Sequence, residues 1–169
     1  KDLPNNRGFA VTELPLYHQN MEKGDYSISK GGSITGNDST IVSQSDFQGD
    51  EEWARLLRTK DFRIALSLSM DRDSINEVAF LGLAVPMNPI GHPANIFYPG
   101  DEYRDLNCCP RDLAAATALM EKMGYSKNAD GMFNRQDGTG ILEFFWSVGD
   151  WQANVGELAA AGWTEWGIK

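Results

Sequence analysis

The sequence predicts a mixed α/β domain, and three stretches carry that prediction. Residues 62–70, FRIALSLSM, are apolar at nearly every position, as expected of a helix buried on most of its sides. Residues 141–148 place Leu142, Phe144, Trp146 and Val148 at alternate positions after a DG turn, which is the period of a half-buried strand. Residues 152–166 then set Val155, Leu158, Ala159 and Gly162 on one narrow face suited to packing on a sheet. Gly167 closes that helix, and Ile168 and Lys169 read as the first residues of another strand.

The remaining elements follow in chain order. Thr12 can cap a short helix in which Leu14, Tyr17 and Met21 share a face and which Gly24 ends. A strand is expected over residues 26–30. Residues 31–40, GGSITGNDST, read as a flexible surface loop before a second short strand at 40–44, and their glycines match no phosphate-loop spacing. Asp50 caps a helix with Trp53, Leu56 and Leu57 inward, and Thr59 can cap the helix at 62–70.

That helix stops at Met70, and another begins at once. Asp71, Asp73 or Ser74 can be its N-cap, Ser74 and Glu77 hold the capping-box spacing, and Ile75, Val78 and Ala79 share a face. Gly82 ends it and Pro86 prevents a restart. Residues 86–99 hold four prolines and read as a fixed wrapping loop. A further helix is expected to open at Pro110, with Leu113, Thr117, Met120 and Met123 on one side, and to stop at Gly124. A hairpin follows, from 132–135 through the DG turn to 141–148.

At 169 residues the chain has room for one ordinary core, so residues 1–169 read as a single domain. The formal net charge of -9 argues against nucleic acid, whose phosphates need clustered Lys and Arg, and against an anionic membrane surface. No apolar run approaches the roughly 18 residues of a membrane span, so no direct membrane insertion is expected. A chain that opens KDLPNN and closes EWGIK reads as excised from a longer one, with any signal sequence outside it. The two cysteines, Cys108 and Cys109, are adjacent; a vicinal disulfide would be a strained ring, so free thiols or a buried filler role are expected.

The motifs of catalysis are missing. His18 and His92 have no ligand-type neighbours at metal-binding intervals, and neither H-E-x-x-H nor G-x-S-x-G occurs. Asp50-Glu51-Glu52 and Asp101-Glu102 fit caps or solvated faces better than an acid–base pair. No enzyme activity, metal or cofactor is therefore expected. The feature that stands out is Trp146 and Trp151 on either side of a strand-to-helix loop, 147–150, because open α/β sheets place ligands at strand carboxyl ends. Trp146, Ser147, Asp150 and Trp151 are the candidate ligand-binding residues, although Trp146 shares a strand face with Leu142 and Phe144 and fits a core role too.

Read together, the segments resemble a known family. FRIALSLSMDRDSINEVAFLGLAVPMNPI is similar to the F-R-x-A-L-S-x-x-x-D-R-x-x-I-x-x-x-x-x-x-G-x-A-x-P pattern of family 5 extracellular solute-binding proteins, the dipeptide- and oligopeptide-binding type that serves ABC importers. RDLAAATALMEKMGY resembles that family's A-x-x-L-x-x-x-x-G-Y segment, NADGMFNRQDGTGILEFFW its D-G hairpin and strand, and ELAAAGWTEWGIK the helix that leads into its next strand. The resemblance runs from about Leu14 to Lys169. It departs at Cys109, where the family usually has an Asp before the helix-opening proline.

The resemblance implies part of the distal lobe of a type II periplasmic-binding-protein-like fold, with Asp71 and Arg72 as scaffold. It implies a peptide or oligosaccharide solute, an ABC permease as membrane partner, and a periplasmic or extracellular site of action. The family's usual amino-group-binding Asp falls outside these residues. Two rival readings are a secreted carbohydrate-active enzyme or binding module that uses acids and tryptophans, and a purely structural interaction domain.

Overall fold

The computed structural model describes residues 11–29, 39–149 and 152–169. A 3-10 turn at Val11–Glu13 leads into α1 (Leu14–Gln19), α2 (Met21–Gly24), α3 (Glu51–Arg58), α4 (Lys60–Ser69), α5 (Arg72–Phe80), α6 (Asp101–Arg104), α7 (Leu113–Lys122) and α8 (Ala153–Trp166). The central element is α4. It packs along α7 and touches α3 and α8, while α5 lies against α8. Phe62 and Ala65 are fully buried and no residue from 61 to 70 is exposed, as an apolar run without a polar face requires. The buried hydroxyl of Ser69 is satisfied locally, donating to the Leu66 carbonyl at 3.0 Å.

The α4–α5 corner answers to its charges. Asp71 is the N-cap of α5, accepting from the Ser74 N–H at 3.1 Å and from its hydroxyl at 2.8 Å. These bonds, with Arg111 nearby, hold the Asp71 carboxyl below its usual pKa. Arg72 turns back to donate to the Ser67 carbonyl at 2.5 Å and across to that of Cys108 at 3.1 Å, tying the incoming chain before α7 to this corner. Arg111 completes the joint by donating to the Ser69 carbonyl and to Glu165 of α8. Helix, loop and helix thus meet at one set of cation–carbonyl bonds, so Asp71 and Arg72 serve as scaffold.

Strand pairing is short but ordered. Residues 133–135 pair antiparallel with 140–142, through Arg135 N–H to Gly140 O and Leu142 N–H to Phe133 O, and a second antiparallel bridge joins Lys127 to Phe133. Lys169 then donates to the Leu142 carbonyl, and Phe144 donates to the Lys169 carbonyl, which is the parallel pattern about Glu143. The chain therefore returns after α8 alongside the 141–144 stretch, but the expected strand over 141–148 is reduced to a bridge at Ile141 and these two bonds, and 142–149 are otherwise irregular. Leu142, Trp166, Phe133 and Ile168 are buried here, with Trp166 edge-on to Phe133 at 5.1 Å. The fold is mixed α/β and helix-rich.

Several expectations need correcting. Residues 26–29 and 40–44 are irregular, not strands; Val42 is 83% exposed, and among the described residues no strand offers it an apolar face. Lys30 and most of the 31–40 loop lie outside the described residues. The first helix divides in two at Asn20 and is preceded by Glu13, not capped by Thr12. Ser74 is capped by Asp71 instead of pairing with Glu77, and Val78 is 54% exposed. The Thr59 hydroxyl donates back to the Arg55 carbonyl and caps nothing in α4. Helix α7 begins at Leu113 because Asp112, not the stretch at Pro110, caps it by accepting from Ala115 N–H at 2.8 Å.

The proline loop is tied down by Asn88, whose side chain donates to the Tyr103 and Leu106 carbonyls. Contrary to expectation, Cys108 and Cys109 are joined in a disulfide. Both sulfur-bearing side chains are turned into one small crevice between Pro86, Pro110, Arg72 and Arg111, with the Cys108 backbone held from both sides by Asp105 and Arg72.

Candidate functional site

The strand-to-helix loop at 147–149 is built on an aromatic row. Phe144 lies 5.0 Å from Trp53 of α3 and 5.5 Å from Trp163 of α8, and Trp146 lies 5.2 Å from Trp163, all tilted. Trp163 is itself fixed, its indole N–H donating to the Leu66 carbonyl at 3.1 Å. The inward face of the strand is thus welded to α3, α4 and α8 by alternate residues 142, 144 and 146, as its period required. The outward face is open, with Phe145 95% exposed.

Trp146 is half-buried: one side of its ring rests on Trp163, so it is both part of the aromatic row and partly open to solvent. Ser147 and Gly149 are exposed, and the Gly149 carbonyl accepts the Gln152 N–H that starts the turn into α8. Val148 lies over the first turn of α8, close enough that a Cβ on Gly156 would come within 3.0 Å of it. The structure therefore brings Trp146 and Ser147 to one exposed strand end before a helix. Asp150 and Trp151 lie outside the described residues.

Sequence reasoning missed a second polar assembly, where the hairpin turn meets α3. Glu52, with a side chain only 9% exposed, accepts from the Tyr125 hydroxyl and the Gln136 N–H, both at 2.9 Å, and pairs with Arg135 at 3.2 Å. Arg135 also holds Asp50 at 2.7 Å and Asp137 at 3.4 Å. Burial, then the Glu52 contact, pushes the Tyr125 phenol up to about 12. Asp50 is held low by the Trp53 N–H it caps and then by Arg135.

An open groove of about 490 Å³ borders this cluster, lined by Ser126, Asn134, Arg135, Gln136 and three glycines. Its one cation is already neutralised by three carboxylates, so the groove presents no field for an anion. The cluster's work is to lock the hairpin turn onto α3. The only signal for it in the sequence was Arg135 beside the DG turn with Asp137, and the other two acids that meet it, Asp50 and Glu52, come from distant positions.

Exposed His18 and His92 sit apart, His92 accepting from the Ala94 N–H. Among the described residues no group of three or more His, Cys, Asp or Glu is placed to hold a metal ion, and no helix is long and apolar enough to cross a membrane.

Comparison with known proteins adds the following. The sequence model of the bacterial extracellular solute-binding proteins, family 5 Middle, matches residues 12–169. Among solved structures, the chain is similar to an oligopeptide-binding protein OppA, with 25% identity and a TM-score of 0.73 over 93% of this chain. The match covers 24% of that protein. No curated protein sequence is matched.

Proposed function

Because the chain belongs to the family 5 bacterial extracellular solute-binding proteins, we propose that residues 1–169 are one unit of a lobe in a two-lobed protein that captures peptides for an ABC importer. The observation that carries the peptide assignment is the structural likeness, over nearly the whole chain, to a protein named for oligopeptide binding. The mechanism is binding, not turnover. Two lobes close on the solute about a hinge, and the closed form, stabilised only when solute touches both lobes, is what the membrane permease receives. The site of action is the periplasm or the cell exterior.

Trp146, Ser147, Asp150 and Trp151 are this unit's contribution to the cleft. The support is positional: a rigid strand, anchored through Phe144 and Trp163, delivers an exposed loop to the start of a 14-residue helix. Backbone N–H groups there can bind a carboxylate or a peptide carbonyl, and a half-buried indole offers its free edge to an apolar side chain.

The test is calorimetry on the full-length protein with pooled tri- to hexapeptides and, separately, linear oligosaccharides. Peptide binding at micromolar affinity or better, with none by residues 1–169 alone, is the expected result, because half a cleft loses about half its ligand contacts. Binding of oligosaccharides with none of peptides would sink the peptide assignment. Steady hydrolysis of peptide during the titration would overturn the non-catalytic reading.

A further inference from the structure

We propose that Cys108 and Cys109 form a reversible dithiol–disulfide site, at which the folded protein exchanges two electrons with an external dithiol. The pair is closed, and its two sulfurs differ in access: Cys108 is 1% exposed whereas Cys109 is partly open to solvent. An incoming nucleophile therefore reaches Cys109. The reduced state already has its place, because Cys108 Sγ lies 3.8 Å from the Arg104 carbonyl oxygen, within hydrogen-bond range for a thiol that the disulfide cannot use.

The charges around the crevice favour the chemistry. Arg72 lines it and donates only to the Ser67 carbonyl and hydroxyl and to the Cys108 carbonyl, with no carboxylate within 4 Å among the described residues. Arg111 lines it from the other side, shared with Glu165 and, at 3.9 Å, Asp71; Asp73 is the one acid on the wall. Arg72, which donates to the Cys108 carbonyl, thus brings to the crevice a half-buried guanidinium with no ion-pair partner among the described residues, and a nearby cation makes a cysteine a better leaving group and nucleophile.

The step balances as follows. A thiolate of the external dithiol attacks Cys109 Sγ, the Cys108–Cys109 bond breaks, and Cys108 leaves as a thiolate that takes a proton. The second thiol of the reductant then attacks its own sulfur in the mixed disulfide, releasing Cys109 as a thiol. The dithiol ends oxidised and the protein carries two thiols. Because the bond links neighbours, it encloses almost no chain and contributes little to global stability, so this is a site of modification and not a staple.

The experiment uses the folded full-length protein with dithiothreitol as probe. Trypsin cuts after Arg104 and Arg111, so one peptide, 105–111, carries both cysteines. Denaturing the untreated protein in iodoacetamide is expected to leave that peptide unalkylated and lighter than its dithiol form by two hydrogens. After dithiothreitol under native conditions, a short maleimide pulse followed by denaturation in iodoacetamide should place maleimide on Cys109 and acetamide on Cys108. Removing the dithiol and adding oxidised dithiothreitol should restore the starting mass, and oxidised and reduced protein should melt within a few degrees of each other. In Cys108→Ser, the remaining Cys109 should still take maleimide in the folded state. Full alkylation of the untreated peptide, reduction only after denaturation, equal maleimide labelling of both cysteines, or a large drop in melting temperature on reduction would each overturn the proposal.

Discussion

Gly167 and Gly162, five residues apart at the end of α8, are predicted to respond to alanine with opposite signs. Gly167 sits at φ +123, where an L side chain is strained, and a Cβ there would lie 2.5 Å from the Gly131 carbonyl oxygen, a backbone atom of a tight turn. The backbone strain costs about 1–3 kcal/mol and the overlap about as much again, so Gly167→Ala is expected to cost about 2–5 kcal/mol. Gly162 is in the helix interior. A Cβ there meets Asp71 N at 3.6 Å and Ser69 O at 3.8 Å, ordinary contact, so Gly162→Ala gains up to about 1 kcal/mol of helix propensity. At roughly 2–4 °C per kcal/mol for a domain of this size, the unfolding transition of this unit should fall by about 5–15 °C in the first variant and rise by a few degrees in the second. Thermal and urea unfolding of the solute-free full-length protein measures both. A Gly167→Ala protein as stable as the parent would mean that the turn from α8 into residues 168–169 is not the one described, and the parallel pairing with Leu142 and Phe144 would fall with it.

Other perturbations test the polar joints and the cleft. Asp71→Ala removes the cap of α5 and should cost about 1 kcal/mol, whereas Asp71→Asn should keep most of it. Because the folded-state pKa of Asp71 is lowered, its ionised form contributes fully above the usual carboxylate range, and that contribution is lost as pH falls through its folded value. The Asn variant should therefore show a shallower loss of stability below about pH 4 in acid titrations followed by circular dichroism. Arg135→Ala leaves Glu52, whose Oε2 is buried without a hydrogen-bond partner, with only Arg55 at 4.0 Å as an ion-pair partner. It should cost more than Glu52→Gln in urea unfolding, by about 1–3 kcal/mol, and equal costs would show that the ion pair is idle. Trp146→Ala should lower both melting temperature and solute affinity, the latter by about tenfold, or ~1.4 kcal/mol. Trp151→Ala should lower affinity alone, and unchanged affinity per folded molecule in either variant would remove that residue from the cleft.

The sequence was most legible where one physical rule decided the outcome. The all-round apolar run at 62–70 could only be a buried helix, Asp50 could only be a cap, and the small-residue face of α8 matched the positions that are buried, Val155, Ala159 and Gly162. It was least legible where a local pattern depended on a distant partner. Residues 40–44 have the β-branched composition of a strand but run irregular, with no strand ladder to them among the described residues, and Asp112 outcompeted the favourable Pro110 because its N–H acceptor geometry, not the proline's ring, fits the start of α7. The Glu52–Arg135–Tyr125 cluster joins residues more than seventy positions apart, beyond the reach of any window. Of the candidate site, the helix that frames it was visible because it repeats its own period, whereas the expected strand over 141–148 is irregular beyond its bridge at Ile141. The half-burial of Trp146 was not visible, because it is set by Trp163, a residue of another element.

The same contacts that make the unit stable also aim its loop. Phe144 donates its N–H to Lys169 after α8 and wedges its ring between Trp53 and Trp163, so the last ordered residues of the strand are held from the backbone and from the side chain at once. Trp163 is pinned in turn to the Leu66 carbonyl of α4, and α4 ends at the corner that Asp71, Arg72 and Arg111 bind to α8. A shift of α8 along its own axis would therefore have to break the Arg111 bonds at its carboxyl end and drag Val148 at its amino end. The contacts of Phe144 and Trp146 with Trp163, and of Val148 with the first turn of α8, thus tie the stretch before α8 to the same framework.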